Sequence, residues 1–448
     1  MKRKIAILCA AVMGLTSVFG MTGCGDNGNE ELVSEDTAAG ETGDEKETDD
    51  SVETSGEKVK LVFLRVGTEP ERKAYWEKMV EGFEKENPNI EIEYQEAPAG
   101  DDFETKLNTG FASGTAPDII NFTLASMGTR VPLGQYASLD EYVENWEGKD
   151  DFMESALSLG NINGTQYGIP VIADPRILIY NKEMFEEAGL DPESPPTTWE
   201  ELKEAQLALV KKDGDTVVQT GLGIPTSGTN TQHWFSIFIE QNGVKNLVDE
   251  DDDTILCNTP EAIEAAEFMK ELVDEGIIFW NADNADENPF ASGKAAMTFA
   301  NDTNFANWNT GDLEGKIAMA DPISGTKQAT FCGMQFMFMS GETEYKDEVW
   351  KFIEYVSSAE NMWTRYEDLG AAVLRESLKD KYIEEDPEKH EAIYNSIACG
   401  TGSPKVAYAN SVYNIIGQAM EEIMYDVKTP EEALNNAADK IQEEIDNQ

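Results

Sequence analysis

The chain has 448 residues, of which 40% are hydrophobic and 9% aromatic, so it can bury more than one core and is not disordered as a whole. Its 87 acidic residues against 34 basic ones give a formal net charge of −53, which repels the phosphates of nucleic acids and anionic lipid headgroups. Two histidines in the whole sequence leave little room for a multi-histidine metal site or a histidine-dependent nucleophile.

The N-terminus has the order of regions that is typical of a secretory signal. Basic residues at positions 2–4 precede an apolar stretch over 5–19, which is shorter than the ~20 residues that span a bilayer. The segment Met21-Thr22-Gly23-Cys24 resembles the lipobox of bacterial lipoproteins. That resemblance implies a signal peptide over residues 1–23 and acylation of Cys24, which would anchor the protein at the outer face of a Gram-positive cell membrane. The alternative is ordinary cleavage that leaves Cys24 as a free thiol.

Residues 24–57 are predicted to form an acidic, disordered tether. The stretch after Cys24 holds thirteen acidic residues, one lysine and three large apolar side chains, which is too little apolar surface to offset the entropy of ordering. Like charges should keep such a linker extended. Folded structure is expected to begin near Lys58, and the tether is interpreted as a solvated tail without a specific partner.

The first predicted elements alternate between strands and helices. Thr68–Glu71 has the pattern of a capping box that opens a helix, and Tyr75, Met79 and Phe83 fall on one face of that helix. The elements are, in order, strand 60–66, a helix that ends at residue 86, half-buried strand 90–94, helix 103–112 and strand 117–122. Strand–helix–strand units at this spacing form right-handed crossovers, so a largely parallel sheet is predicted.

The alternation continues to the C-terminus, and no internal repeat of 20–50 residues is present. The further elements are strand 177–180, a capping box at 198–201, helix 260–274 behind Thr259 as N-cap, strand 295–299 and a capped helix from Thr429 onward with Leu434, Ala438, Ile441 and Ile445 on its inner face. The predicted fold class is α/β.

Beyond Cys24 the chain has three cysteines, Cys257, Cys332 and Cys399. Their spacing gives neither a disulfide framework nor a Cys-x-x-Cys metal site. One bridge is possible, but buried free thiols are expected. No metal and no other cofactor is predicted.

Six short motifs occur in one order between residues 60 and 370. They are Asn87-Pro88-Asn89-Ile90, Gly114-Thr115-Ala116-Pro117-Asp118-Ile119, Gly168-Ile169-Pro170 followed by Tyr180-Asn181-Lys182, Phe185-Glu186-Glu187-Ala188-Gly189-Leu190, Thr198-Trp199-Glu200-Glu201-Leu202, and Phe290-Ala291-Ser292-Gly293-Lys294-Ala295-Ala296-Met297. Together they resemble the extracellular solute-binding proteins (family 1) of sugar ABC transporters, the group that includes maltose-binding protein.

The resemblance implies a type II periplasmic-binding-protein-like fold, with two α/β lobes, a hinge and a ligand cleft between the lobes. The implied N-lobe is 58–172 plus 335–378, and the implied C-lobe is 173–334 plus 379–448. The chain would cross between the lobes near 171–174, 332–335 and 378–384. Several crossings restrict the lobes to one bending motion, so closure would be a hinge movement.

The same resemblance implies a function. The protein would be a monomeric, non-enzymatic receptor that captures a sugar outside the cell and delivers it to ABC permease subunits. Its contact with the membrane would be the lipid anchor alone. An oligosaccharide is favoured over a monosaccharide because several aromatic side chains are available.

Sugars present apolar faces to aromatic rings and hydroxyls to polar side chains, and ligands of open α/β sheets sit beyond the carboxyl ends of strands. Asp174 aligns with a sugar-binding acid of the family pattern. The candidate ligand-binding residues are Thr68, Glu69, Arg72, Asn121, Thr123, Ser126, Asp174, Gln232, Trp234, Asn301, Asp302, Asn304, Met334, Gln335, Tyr408, Asn410 and Tyr413.

Several candidates have a structural alternative. Trp234 sits in an apolar run and fits core packing equally well, and Glu69 could serve only the capping box. The adjacent His233 is interpreted as a helix-start residue and is not a candidate contact. No firm motif anchors the alignment of Tyr408 or Tyr413.

Two other functions stay open. A secreted glycoside hydrolase needs two carboxylates across a cleft, and the abundance of acidic residues allows such a pair, although Gly-x-Ser-x-Gly and His-Glu-x-x-His motifs are absent from the sequence. A non-transport surface protein that binds carbohydrate would also explain the anchor and tether. A calcium loop at Asp249, Asp251 and Asp253 is disfavoured because Thr254 and Pro260 replace the required Gly and Glu.

Overall fold

The computed structural model describes residues 58–228 and 230–448. The predicted signal peptide, the acylation site at Cys24 and the acidic tether therefore lie outside the described residues. Within the described part of the chain, no helix combines the length and the apolar character that crossing a bilayer requires.

Strands and helices alternate along the described chain. The strands are β1 (Val59–Val66), β2 (Ile90–Ala97), β3 (Ile119–Thr123), β4 (Asn161–Ile162), β5 (Thr165–Gln166), β6 (Gly168–Pro175), β7 (Ile177–Asn181), β8 (Lys211–Asp213), β9 (Thr216–Leu222), β10 (Ala295–Ala300), β11 (Ile317–Ala320), β12 (Thr330–Met339) and β13 (Gly400–Thr401). The helices are α1 (Pro70–Glu86), α2 (Asp101–Ser113), α3 (Met127–Arg130), α4 (Asp140–Val143), α5 (Glu154–Ser158), α6 (Lys182–Ala188), α7 (Trp199–Leu209), α8 (Thr231–Gln241), α9 (Pro260–Glu275), α10 (Asp302–Trp308), α11 (Lys346–Ser357), α12 (Ala359–Leu369), α13 (Lys379–Glu385), α14 (Pro387–Ala398), α15 (Ala409–Met424) and α16 (Pro430–Asp446). The predicted α/β fold class is confirmed.

The first sheet contains the predicted parallel crossovers. Its strand order is β13-β12-β3-β1-β2, with β6 also paired to β12. β1 is parallel to both β2 and β3, whereas β12 runs antiparallel to β3. α1 buries Tyr75, Met79 and Phe83 against this sheet, as the sequence predicts. The Phe83 ring meets the ring of Phe352 from α11 at a centroid distance of 5.2 Å.

The second sheet is mixed, whereas a largely parallel sheet was predicted. Its strand order is β11-β7-β10-β9-β8. β9 and β10 are parallel, but β7 is antiparallel to both β10 and β11. β7 enters this sheet directly from β6 of the first sheet, after a single residue. The inner residues of α8, Phe235 and Phe238, are fully buried in the core beside this sheet.

Two adjacent strands connect the sheets. β6 pairs with β12 in the first sheet and leads directly into β7 of the second, and β12 follows β11 of the second sheet. The two strands are antiparallel, with Asp174 opposite Gly333 and a register shift between Gln335 and Phe336. The first two crossings implied by the family resemblance fall within these strands, and the lobe boundaries stay a prediction.

Two of the four predicted helix caps differ in detail. The N-cap of α1 is Glu69 rather than Thr68, and no side chain caps it, because the Glu69 carboxylate turns to Arg65 instead. Thr198 accepts from the Glu201 N–H, but the Glu201 carboxylate accepts from Thr197 rather than completing a capping box. The N-cap at Thr259 and the capping box at Thr429 are confirmed. Cys257, Cys332 and Cys399 are free thiols, as expected.

Candidate ligand-binding cleft

A cavity of about 810 Å³ opens where β6 and β12 run between the two sheets. This volume suits a small-molecule ligand. Carboxylates, guanidinium groups, amides and apolar side chains share its lining, which consists of Glu69, Glu71, Arg72, Thr123, Leu124, Ala125, Ile172, Ala173, Asp174, Arg176, His233, Asn301, Asp302, Thr303, Phe331, Gly333, Met334, Gln335, Asp368, Leu369, Ala371 and Ser403.

The floor of the cleft carries an ion pair next to the crossing strands. Arg176 Nη1 donates to Asp174 Oδ2 at 3.0 Å and to the Asp174 backbone oxygen at 3.3 Å. The Arg176 side chain is 23% exposed and that of Asp174 is 39% exposed. Both groups therefore remain available to a ligand, with their geometry already fixed by each other.

One wall begins where β1 ends. Arg65 is fully buried, and its Nη2 lies 2.5 Å from Glu69 Oε2 while its Nη1 lies 3.7 Å from Glu96 Oε2. Partial burial raises the pKa of Glu69, but its own backbone N–H and the Arg65 guanidinium outweigh this effect and hold the pKa below its ordinary value. Arg65 thus positions an ionised carboxylate at the cleft wall.

The opposite wall includes the start of α10. Asn301 caps this helix, since its Oδ1 accepts from the Asn304 N–H at 2.8 Å, and Asp302 follows in the first turn. Burial and the Asp174 carboxylate raise the pKa of Asp302, against the opposing effect of cations that include Arg72. The cavity therefore already holds two carboxylates that repel each other.

Two stacked rings supply the aromatic surface of the described lining. His233 and Phe331 lie at a centroid distance of 4.1 Å and an interplanar angle of 22°. Burial, with a smaller effect of Arg176, lowers the pKa of His233 to about 3. The imidazole is thus neutral at pH 7 and acts as an apolar plate with a polar edge.

The structure brings eight of the seventeen predicted contact residues to this cleft. They come from both walls and from the crossing strands: Glu69, Arg72, Thr123, Asp174, Asn301, Asp302, Met334 and Gln335. Their contact with a ligand stays a prediction.

Four further candidates are buried behind the cleft. Asn121 donates through Nδ2 to the Phe336 oxygen at 3.1 Å, and the Ser126 hydroxyl donates to the Thr123 oxygen at 2.7 Å. Gln232 and Trp234 are buried on α8. Trp234 packs edge-on against a core phenylalanine, so it serves the core rather than the cavity lining.

The last five candidates lie elsewhere. Thr68 is exposed beside the cleft and Asn410 is exposed on α15, while Asn304 is engaged through its backbone in the cap of α10. The Tyr408 hydroxyl donates to a carboxylate at the surface, and Tyr413 lines a separate cavity of about 390 Å³ beside α15.

Several residues of the lining were not predicted from the sequence. Arg176 stands two positions after Asp174, a spacing that could have revealed it. His233 was interpreted only as a helix-start residue, although its ring lines the cleft. Asp368 and Ser403 come from the end of α12 and from the loop after β13, where no motif pointed to them.

Comparison with known proteins gives relatives along most of the chain. The family described as bacterial extracellular solute-binding protein matches residues 78–392. The maltodextrin-binding protein MdxE of Bacillus subtilis is 23% identical over 85% of this chain and 90% of its own length. The sn-glycerol-3-phosphate-binding periplasmic protein UgpB of Salmonella typhimurium is 25% identical over 75% of this chain and 82% of its own length.

A solved structure supports the fold. The cyclic alpha-maltosyl-1,6-maltose binding protein of Arthrobacter globiformis superimposes with a TM-score of 0.75 at 23% identity, covering 86% of this chain and 98% of that protein. The family match extends over well more than half of the sequence and includes the second sheet and the crossing strands β6 and β12. The chain therefore belongs to the bacterial extracellular solute-binding protein family.

Proposed function

We propose that the protein is the carbohydrate receptor of an ABC importer, which captures a sugar outside the cell and delivers it to permease subunits. The observation that carries this proposal is the composition of the cleft. A neutral ring pair, His233 on Phe331, adjoins the fixed Asp174–Arg176 pair and the oriented Glu69 carboxylate. Rings cover the C–H faces of a sugar, and the charged groups form strong hydrogen bonds with its hydroxyls.

The names of relatives and structural neighbours support a saccharide ligand. One relative is named for maltodextrin, and one solved neighbour was crystallised with maltotetraose. A cavity of about 810 Å³ is large enough for more than one sugar ring. An oligosaccharide is therefore the preferred ligand class.

Binding would favour closure by a population shift. A ligand that touches both walls in a closed form, but one wall in an open form, stabilises the closed form by the difference in contact energy. β6 and β12 form the hinge in this proposal, with the predicted N-lobe and C-lobe on either side. In this proposal the protein acts as a monomer that acylated Cys24 anchors to the outer face of the cell membrane. It uses no cofactor and leaves the sugar chemically unchanged.

The test is titration calorimetry of the purified protein with maltotetraose, cellotetraose and mannotetraose, followed by chromatography of the recovered sugar. Binding of at least one tetraose without cleavage is expected, together with a smaller radius of gyration in solution scattering. Asp174→Asn should weaken the binding, whereas Glu443→Gln on exposed α16 should not. Cleavage would instead favour the glycoside hydrolase alternative, and absence of binding by every tetraose would contradict the proposal.

A further inference from the structure

The charged groups of the cleft are predominantly acidic. Its lining has two guanidinium groups, and no lysine belongs to the described lining residues. Five carboxylates face the same space: Glu69, Glu71, Asp174, Asp302 and Asp368. His233 adds no positive charge, because burial lowers its pKa to about 3.

Two of the three guanidinium groups in or behind the lining are already engaged by carboxylates. Arg176 is held by Asp174 at 3.0 Å. Arg65 lies behind the wall, fully buried, and is bound to Glu69 and to a second glutamate. Arg72 forms no hydrogen bond or ion pair with a described residue, and its charge only partly offsets the negative charge at Glu69 and Asp302. Among the described lining residues, one unpaired guanidinium, that of Arg72, therefore stands against five carboxylates.

The N-terminus of α1, which lies beside the cleft, also carries acidic side chains. The N-terminus of a helix attracts anions through its free N–H groups and its dipole. In α1, which has 17 residues, Glu69 is the N-cap and Glu71 lies in the first turn. An incoming phosphate or carboxylate would have to displace or approach these two carboxylates.

The state of Asp302 shows how the cavity treats negative charge. Its carboxyl has a raised pKa because it is buried and lies close to Asp174. The Asp174 carboxylate thus already disfavours the ionised form of Asp302 in this space. A third negative group on the ligand would meet the same repulsion and the same loss of hydration.

We propose that this cleft selects saccharides without negative charge and rejects those that carry a phosphate or a carboxylate. The inference rests on the proposed function and narrows its ligand class. It separates this chain from a relative that is named for binding sn-glycerol 3-phosphate. The distinction comes from the excess of carboxylates over guanidinium groups in the lining and from the pairing of Arg176 with Asp174.

The test compares matched neutral and anionic probes. Maltotetraose, cellotetraose and mannotetraose are each titrated beside the same sugar oxidised to a uronate at C6, and sn-glycerol 3-phosphate is added as a separate probe. At 20 mM NaCl, the uronate of the tetraose that binds is expected to bind at least tenfold more weakly than the neutral form. The difference should narrow at 300 mM NaCl because salt screens the cleft charges.

Variants of the protein separate the effect of the ligand's charge from the effect of the C6 hydroxyl that oxidation removes. Glu71→Gln removes a lining carboxylate and should reduce the ratio of neutral-sugar affinity to uronate affinity at least twofold. Arg72→Gln removes a lining cation and should increase that ratio. Glu443→Gln, an exposed site on α16, is the control and should leave the ratio unchanged.

The outcomes distinguish this inference from the proposed function. The inference is overturned if a uronate binds as tightly as its neutral form, or if the affinity ratio changes neither with salt nor with Glu71→Gln. Either result is still compatible with the proposed sugar receptor. Binding of sn-glycerol 3-phosphate with no tetraose bound overturns both. Absence of binding by all probes counts against both as well.

Discussion

Glu240 offers a test of the electrostatics inside the second core. The side chain is fully buried on α8, and both carboxylate oxygens lack a hydrogen-bond partner among the described residues. The Thr401 hydroxyl faces the carboxylate but has no partner of its own, so its geometry falls short of a hydrogen bond. Burial raises the pKa of Glu240 from 4.5 to about 8, against a smaller opposing effect of Lys327. The group is therefore protonated in the folded protein at pH 7.

The magnitude follows from proton linkage. Between pH 4.5 and about 8, Glu240 is protonated in the folded state but ionised in the unfolded chain. Unfolding therefore releases a proton in this range. The free energy of unfolding then falls by about 1.4 kcal/mol per pH unit, and the full window corresponds to roughly 5 kcal/mol. This contribution is fully present below pH 4.5 and lost once the pH passes about 8.

Glu240→Gln removes this titration while keeping the shape of the side chain. We expect the variant to gain stability relative to the parent protein as the pH rises from 5 to 9, by several kcal/mol in total. Urea unfolding at five pH values in that range measures the difference, and Glu443→Gln on the exposed face of α16 should show none. If the difference in unfolding free energy between Glu240→Gln and the parent stays constant across this pH range, a protonated Glu240 is refuted. Such a result would mean that Lys327 or bound water keeps the carboxylate ionised.

Three further predictions concern the site, the anchor and the fold. Asp174→Ala should lose at least tenfold in tetraose affinity, about 1.4 kcal/mol, with little change in urea midpoint, and unchanged calorimetric affinity would remove Asp174 from the site. Cys24→Ser should move the protein from the membrane fraction to the medium, and continued membrane association would contradict acylation at that residue. Gly128→Ala should destabilise the fold by about 1–3 kcal/mol, because the new methyl group would lie 2.5 Å from the Val406 backbone. Thr129→Ala, at the exposed neighbouring position, should cost far less, and equal urea midpoints of the two variants would disprove the clash.

Local patterns in the sequence predicted most of the fold correctly. The helix that begins at Pro260 behind Thr259 and the capping box at Thr429 depend on residues a few positions apart, so their effect is visible without tertiary structure. The first cap failed for a non-local reason. Glu69 is drawn to a buried arginine on the preceding strand, and no pattern within one helix reports such a partner.

Several candidates predicted from the family alignment or from a strand end lie in the cleft lining, although their contact with a ligand stays a prediction. Asp174 was predicted from the family alignment and Asn301 from its position after a strand, and both line the cleft. Trp234 was selected from a stretch after a Gly/Ser-rich loop, and Tyr408 from an alignment without a firm motif. In the structure Trp234 packs in the core and the Tyr408 hydroxyl donates to Asp253. Ser403 reaches the cleft through long-range pairing of β13 with β12, which the sequence could not reveal.

The three free thiols of the described residues bear on how the protein responds to oxidising conditions. Burial raises the pKa of Cys257 and Cys399 to about 12 each, and raises that of Cys332 as well. Thiolate is the form that reacts with oxidants, so these sulfur atoms are slow to react at neutral pH. Within the described part of the chain, the fold therefore depends on no disulfide bond, and we expect these three thiols to stay reduced under anoxic and aerated conditions alike.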